Sequence, residues 1–128
     1  MTEKYYLTPV ELELMEILWN LGQGSVHEVI DHLASDRSLA YTSVSTMLRI
    51  LQQKNILGIK KLSRQHIYYP LLSKEKYATH SIKKIVQHAF SGKSAELVAY
   101  LVDKNKLSLD EINSLQQLLN AKKRDLST

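Results

Sequence analysis

Ala40-Tyr41-Thr42-Ser43-Val44-Ser45-Thr46-Met47-Leu48-Arg49 is the stretch on which the reading of this chain turns. With Leu51 added, Val44, Met47, Leu48 and Leu51 fall at i, i+3, i+4 and i+7, the apolar stripe of a helix over roughly 40–54. Thr42, Ser45, Thr46 and Arg49 repeat that spacing on the opposite side, so the outer face carries hydroxyls and one guanidinium. The helix sits in a window without acids. Between Asp36 and Glu75 the chain has no Asp or Glu, yet holds Arg37, Arg49, Lys54, Lys60, Lys61 and Arg64. Residues 1–36 carry seven acids against Lys4, a balance of −6, whereas residues 37–72 sum to +6. So sharp a division of charge implies one face suited to a polyanion, and duplex DNA is the first expectation.

Outward from that helix, two earlier helix starts are written as capping boxes, a hydroxyl followed three residues later by Glu. Thr8 precedes Glu11, with Pro9 at the first helical position where its missing N–H costs nothing. Leu14, Met15, Ile17, Leu18 and Leu21 supply a buried side until Gly22 and Gly24 stop the helix. Ser25 and Glu28 open a second helix bearing Val26, Val29, Ile30 and Leu33. After the third helix, Asn55 suits a left-handed helix end. Ile56–Leu62 and Gln65–Tyr69 then read as two short strands around a turn at Ser63-Arg64, with Pro70 closing the edge. Three helices and a basic hairpin describe a winged helix-turn-helix over residues 1–72.

The rest, 73–128, reads as three helices near 74–90, 93–104 and 108–123, the last opened by the Ser108/Glu111 capping box. About fifty residues bury too little surface to be comfortable alone. Packing of Ile85, Val86, Phe90, Leu97, Val98, Leu101, Ile112, Leu115 and Leu119 against a second copy would account for their apolar surplus. The expected fold class is therefore mainly α: an N-terminal winged helix-turn-helix followed by a three-helix dimerisation domain.

Composition narrows the function classes. Hydrophobic residues make up 44% and charged residues 23%, as in ordinary globular chains, and the net charge of +4 is modest, so the clustering carries the signal. The absence of cysteine excludes disulfides, thiolate metal sites and cysteine nucleophiles. No apolar run approaches the ~18 residues of a membrane span, and the N-terminus lacks the charge and apolar segment of a signal peptide. A cytoplasmic location is the expectation. No nucleophile elbow, phosphate loop or paired-histidine motif is present, so the chain reads as a non-enzyme without cofactor. Metal binding is not expected either: His80 and His88 stand about 12 Å apart along a helix, and His27 and His32 do not share a face.

Each candidate contact has a chemical reason. Thr42, Ser43, Ser45 and Thr46 can bond to phosphates or base edges, and the Thr methyls can meet thymine methyls. Arg49 can grip guanine bidentately. Lys60, Lys61 and Arg64 on the hairpin would reach backbone phosphates or the minor groove, although basic edge strands also discourage aggregation. Tyr41 at the helix start and Lys54 at its end could hold phosphates, and Lys54 equally suits a helix C-terminus. Trp19 and Tyr68 read as packing rather than as an aromatic ligand box. The alternative function is a winged-helix adaptor that binds protein and no DNA; the acid-free stretch argues against it, since protein interfaces tend to be depleted in Lys.

Three motifs in order carry a likeness: Leu7-Thr8-Pro9-x-Glu11-x-x-x-Met15-x-x-Leu18-Trp19, then Ala40-Tyr41-Thr42-Ser43-Val44-x-Thr46-Met47-Leu48, then Arg64-x-x-x-Tyr68-x-Pro70-Leu71. Together they resemble the BlaI/MecI/CopY family of bacterial repressors over essentially the whole chain. The resemblance implies a homodimer whose two heads dock on a palindromic operator and block transcription. It also implies induction through a membrane-bound sensor and repressor cleavage, or through copper held by C-terminal cysteines. The chain departs from the pattern in places. Ser45 and Ile50 stand where many members carry Lys and Arg, Ser63 replaces a wing-tip Gly, and Asn55 the Gly after the third helix. Tyr100-Leu101 stands in place of the Asn-Phe cleavage dipeptide, and without cysteine the copper sensor is excluded.

Overall fold

The computed structural model describes residues 5–34, 38–104 and 106–128; Arg37 of the basic window lies outside them. In chain order the elements are α1 (Pro9–Leu21), α2 (Val26–Asp31), α3 (Tyr41–Gln53), β1 (Leu57–Leu62), β2 (Gln65–Pro70), α4 (Lys74–Ala89), α5 (Ser94–Lys104) and α6 (Leu109–Ser127). All three capping boxes form: Thr8, Ser25 and Ser108 each accept from the backbone N–H of the Glu three residues on, whose carboxylate answers the cap's own N–H. Gly22, at φ 85°, ends α1 in a backbone region that suits a residue without Cβ. α6 runs four residues past its expected end near 123, because Arg124-Asp125-Leu126-Ser127 contains no Gly or Pro to stop it.

Leu14, Met15 and Leu18 of α1, Val29 of α2, and Val44, Leu48 and Leu51 of α3 are fully buried and form the centre of the head. Met47, expected in the same stripe, is half-buried against it. Ile56, Leu57, Tyr68 and Leu72 close the core from the hairpin side. β1 and β2 pair antiparallel from Leu57↔Pro70 to Leu62↔Gln65, leaving Ser63-Arg64 as a two-residue turn. Gly24 adds a bridge that periodicity did not indicate: its N–H donates to the Tyr68 carbonyl at 2.9 Å and its carbonyl accepts from the Tyr68 N–H at 2.8 Å. The α1–α2 link is thereby laced to the hairpin. Trp19 packs as expected, its indole N–H donating to the Leu72 carbonyl at 2.9 Å and its ring 5.7 Å from Tyr77.

Tyr77 and His80 tie the first half of α4 to this head; the His80 ring lies 4.9 Å from Tyr5. The chain accordingly divides into two compact units inside α4, between Ile82 and Lys83, rather than ahead of that helix. In the second unit a turn with positive φ at Ser91 and Gly92 links α4 to α5, and Phe90 meets Tyr100 edge to face at 5.7 Å. Among the residues singled out for dimerisation, Val86 is 7% exposed, buried within its own chain. It therefore presents no free face to a second copy. Phe90 and Leu97 are half-buried, while Ile85, Val98, Leu101, Ile112, Leu115 and Leu119 are exposed. Ile82, Leu109, Leu118 and Leu126 add exposed apolar surface that the sequence reading did not include.

Candidate nucleic-acid interface

α3 buries one stripe and leaves the other in solvent, as its periodicity requires. Tyr41, Thr42, Thr46 and Arg49 are exposed, and Ser43 and Ser45 half-buried. Ile50 is 39% exposed on the same helix, an apolar side chain on an otherwise polar face. The helix begins on Ala40, whose methyl cannot accept a hydrogen bond, so no side chain claims the N–H groups of its first turn.

The hairpin presents Lys60, Lys61, Ser63 and Arg64 to solvent. Ser63 opens the turn at φ 57°, a left-handed value for which glycine is the usual residue in a two-residue hairpin. The Lys60 ammonium lies 5.8 Å from the centre of the Tyr69 ring, within cation–π range. That ring lies across Gly58, its ladder partner, where any Cβ would run into it. A glycine at 58 is thus what lets Tyr69 lie flat beneath the wing's lysine.

Helix and wing meet around a cleft of about 360 Å³ lined by Ser25, Val26, His27, Tyr41, Ser45, Arg64, Gln65, His66 and Tyr68. Three of the expected contact residues, Tyr41, Ser45 and Arg64, therefore share one concavity. Tyr41 packs against His27, ring centres 4.7 Å apart. Burial raises the Tyr68 phenol above its ordinary pKa, with the nearby Arg49 guanidinium acting against the rise and Tyr41 adding to it. Arg49 is thus close enough to the cleft for its charge to be felt there.

Lys54 is placed differently. Its ammonium lies 3.3 Å from Oε2 of Glu11, a carboxylate only 6% exposed, whose Oε1 accepts from the Thr8 N–H at 2.9 Å. Its charge is directed at α1 and not at the cleft. The histidines of the cleft, His27 and His66, were missed as contact candidates. Nothing in local spacing could have found them, because only the folded arrangement of α2 against the wing brings them together. Among the described residues no cluster of His, Asp and Glu is placed to hold a metal ion.

A family model described as penicillinase repressor matches residues 7–121. An uncharacterized 16.5 kDa protein encoded in the ptsI 3′ region of Latilactobacillus sakei is 30% identical over 116 residues, 91% of this chain and 80% of that protein. The methicillin resistance regulatory protein MecI of Mammaliicoccus sciuri is 27% identical over 118 residues, covering 92% and 96% of the two chains. The penicillinase repressor of Bacillus licheniformis is 26% identical over 117 residues, 91% of each. Among solved structures, the DNA-binding domain of the repressor BlaI superposes with a TM-score of 0.52 at 27% identity, covering 60% of this chain and 94% of that one. The monomeric form of Bacillus licheniformis BlaI in complex with the blaP half-operator gives 0.50 at 27% identity, with the same coverage. With nine-tenths of its length matched and its winged head superposed, the chain belongs to the penicillinase repressor family.

Proposed function

We propose that this chain is a transcriptional repressor that binds duplex DNA as a homodimer on a palindromic operator. The observation that carries the reading is the shared face of α3 and the wing. Thr42, Thr46 and Arg49 of α3 and Lys60, Lys61 and Arg64 of the wing are all exposed, in a stretch of sequence without a carboxylate. Half-buried Ser43 and Ser45 border it, and Tyr41 and Arg64 flank the cleft. α3 has the dimensions to enter a major groove, where its hydroxyls and Arg49 meet base edges while the wing holds phosphates. Lys54, engaged with Glu11, contributes to the head's stability instead.

The second unit supplies the pairing of heads. Ile112, Leu115 and Leu119 of α6 and Val98 and Leu101 of α5 remain exposed in the single chain. A second copy covering them would place two heads on two half-sites and join their binding by linkage. No helix among the described residues is long and apolar enough to cross a membrane. A sensor or protease partner, implied by the family resemblance, would meet Tyr100-Leu101 inside α5 and would have to unwind that helix first.

Two heads neutralising roughly 6–10 phosphates give a slope of log affinity against log salt of about −5 to −9. Anisotropy titrations of a fluorescent duplex across salt concentrations measure it. A nearly flat dependence would overturn the reading and favour a protein-binding adaptor.

A further inference from the structure

The cleft beside α3 holds two side chains for which the helix-and-wing reading has no use. His27, from the first turn of α2, and His66, from β2, line it together with Tyr41, Ser45, Arg64 and Gln65. Both imidazoles are exposed. They come from elements 39 residues apart in sequence and converge only in the folded head. His27 packs against Tyr41 at 4.7 Å between ring centres, the two rings tilted by 42°. His66 is held by the ladder opposite Lys61, one residue beyond Gln65.

The polar lining consists of hydroxyls, an amide, imidazoles and a guanidinium, with no carboxylate among them. The neighbouring groups are also accounted for. α3 brings Tyr41 and Arg49, and the hairpin Lys61, Arg64 and Tyr68. α2 brings Glu28, whose carboxylate accepts from the Ser25 N–H at 3.0 Å, and Asp31, one turn beyond His27 and outside the lining. A concavity of about 360 Å³ furnished in this way suits an oxyanion the size of phosphate together with a few waters, each occupying about 30 Å³.

We propose that the cleft seats one backbone phosphate of bound duplex, and that protonation of His27 and His66 strengthens this contact and makes DNA binding proton-linked. The proposal rests on the chain being a duplex-DNA binder. Imidazole is the side chain that ordinarily gains its charge between about pH 5 and pH 8. A phosphate placed beside it favours the charged form. Binding then takes up protons, so affinity rises as pH falls, by at most about tenfold per pH unit for each proton fully linked. The contact is to the backbone, and any duplex can report it.

The test is anisotropy of the full chain on a short fluorescent duplex of arbitrary sequence, at constant ionic strength, from about pH 8 to about pH 6. Wild type is compared with His27→Gln, His66→Gln and the double variant; glutamine keeps polarity and cannot titrate. Wild-type affinity is expected to rise about fivefold or more as pH falls, each single variant to lose part of the rise, and the double variant to lose nearly all of it. Circular dichroism confirms that the variants fold, and the imidazole C–H resonances should titrate at higher pH with duplex than without. Parallel pH profiles for wild type and double variant, with steep salt dependence retained, reject the cleft alone. Absence of duplex binding at any pH and low salt rejects the DNA reading itself. Inorganic phosphate that shifts both imidazole resonances and displaces duplex at the same concentrations makes this a free-anion site, and the backbone-phosphate proposal falls.

Discussion

Replacing Lys54 by Met separates what holds the head together from what holds DNA. Glu11 is a carboxylate with 6% exposure in the first turn of α1, one oxygen capped onto the Thr8 N–H and the other 3.3 Å from the Lys54 ammonium. Methionine keeps most of the aliphatic stem and removes the charge, leaving Glu11 with its cap and the helix N-terminus as its only compensation. Breaking a fully buried ion pair costs about 3–5 kcal/mol. The Lys54 side chain is 39% exposed, so water screens the pair and the expected loss falls to about 1–2 kcal/mol. In a unit of this size each kcal/mol is about 4–8 °C of melting temperature. Thermal and urea denaturation at one fixed protein concentration measure the loss, since an oligomer's stability varies with concentration. Glu11→Gln, which keeps an acceptor for Thr8, should cost a similar amount, and the double variant should cost less than the sum. The salt slope of duplex binding should stay unchanged throughout. If Lys54→Met changes stability by less than about 0.3 kcal/mol and the salt slope falls by about one, Lys54 is a phosphate contact and its pairing with Glu11 is incidental.

Three further outcomes are expected. Arg49→Ala should relax discrimination at one operator position by about 1–3 kcal/mol, whereas Arg64→Ala should weaken matched and mismatched duplexes alike and lower the salt slope by about one; binding assays on operators selected from genomic fragments distinguish them. Asp at both Leu115 and Leu119 should yield monomers in sedimentation and reduce operator affinity at least tenfold through lost linkage, about 1.4 kcal/mol, while dimers that persist would move the interface off α6. Ser63→Gly should raise the head's melting point, because glycine removes the roughly 1 kcal/mol that an L-residue loses at positive φ; an unchanged midpoint would mean that the Ser63 side chain recovers that cost locally.

The head was legible because its signals are local and redundant. Caps at Thr8 and Ser25, the four-residue apolar stripe of α3 and the Ser63-Arg64 turn each specify an element, and each agrees with its neighbours. The exposed stripe of α3 followed from the same periodicity that located its core. What sequence could not show depends on tertiary approach. The Gly24 bridge to Tyr68 is a pairing across 44 residues, and the Lys54–Glu11 pair spans 43. Neither leaves a periodic trace, and the convergence of His27 and His66 leaves none either. The division of the chain within α4 was hidden for a related reason. A continuous helix carries one pattern throughout, and only the tertiary seating of Tyr77 against Trp19 and of His80 against Tyr5 shows that its first turns belong to the head.

The departures from the family pattern fall into two physical kinds, and the difference bears on function. Asn55 and Ser63 stand where glycine is usual, and both adopt positive φ, at 63° and 57°. The backbone demand has stayed and the residue has changed. Asn meets that demand at little cost, Ser less comfortably, and in both cases the path of the chain into and around the wing is preserved. Ser45 and Ile50 are departures of the other kind. They alter side chains on the outer part of α3, half-buried and 39% exposed respectively, and neither belongs to the buried core. Substituting a hydroxyl and a butyl group for two cations removes two long-range attractions to phosphate and two bidentate or point donors to guanine. It leaves Arg49 as the only cation on the helix's outer stripe. A head with an unchanged backbone and a less cationic reading face should still dock in the same groove. Its choice of bases, however, must come from Arg49, hydroxyls and apolar contacts. An operator carried over from a relative with Lys and Arg at those positions is therefore the wrong probe for this chain, and selection from its own genome is the right one.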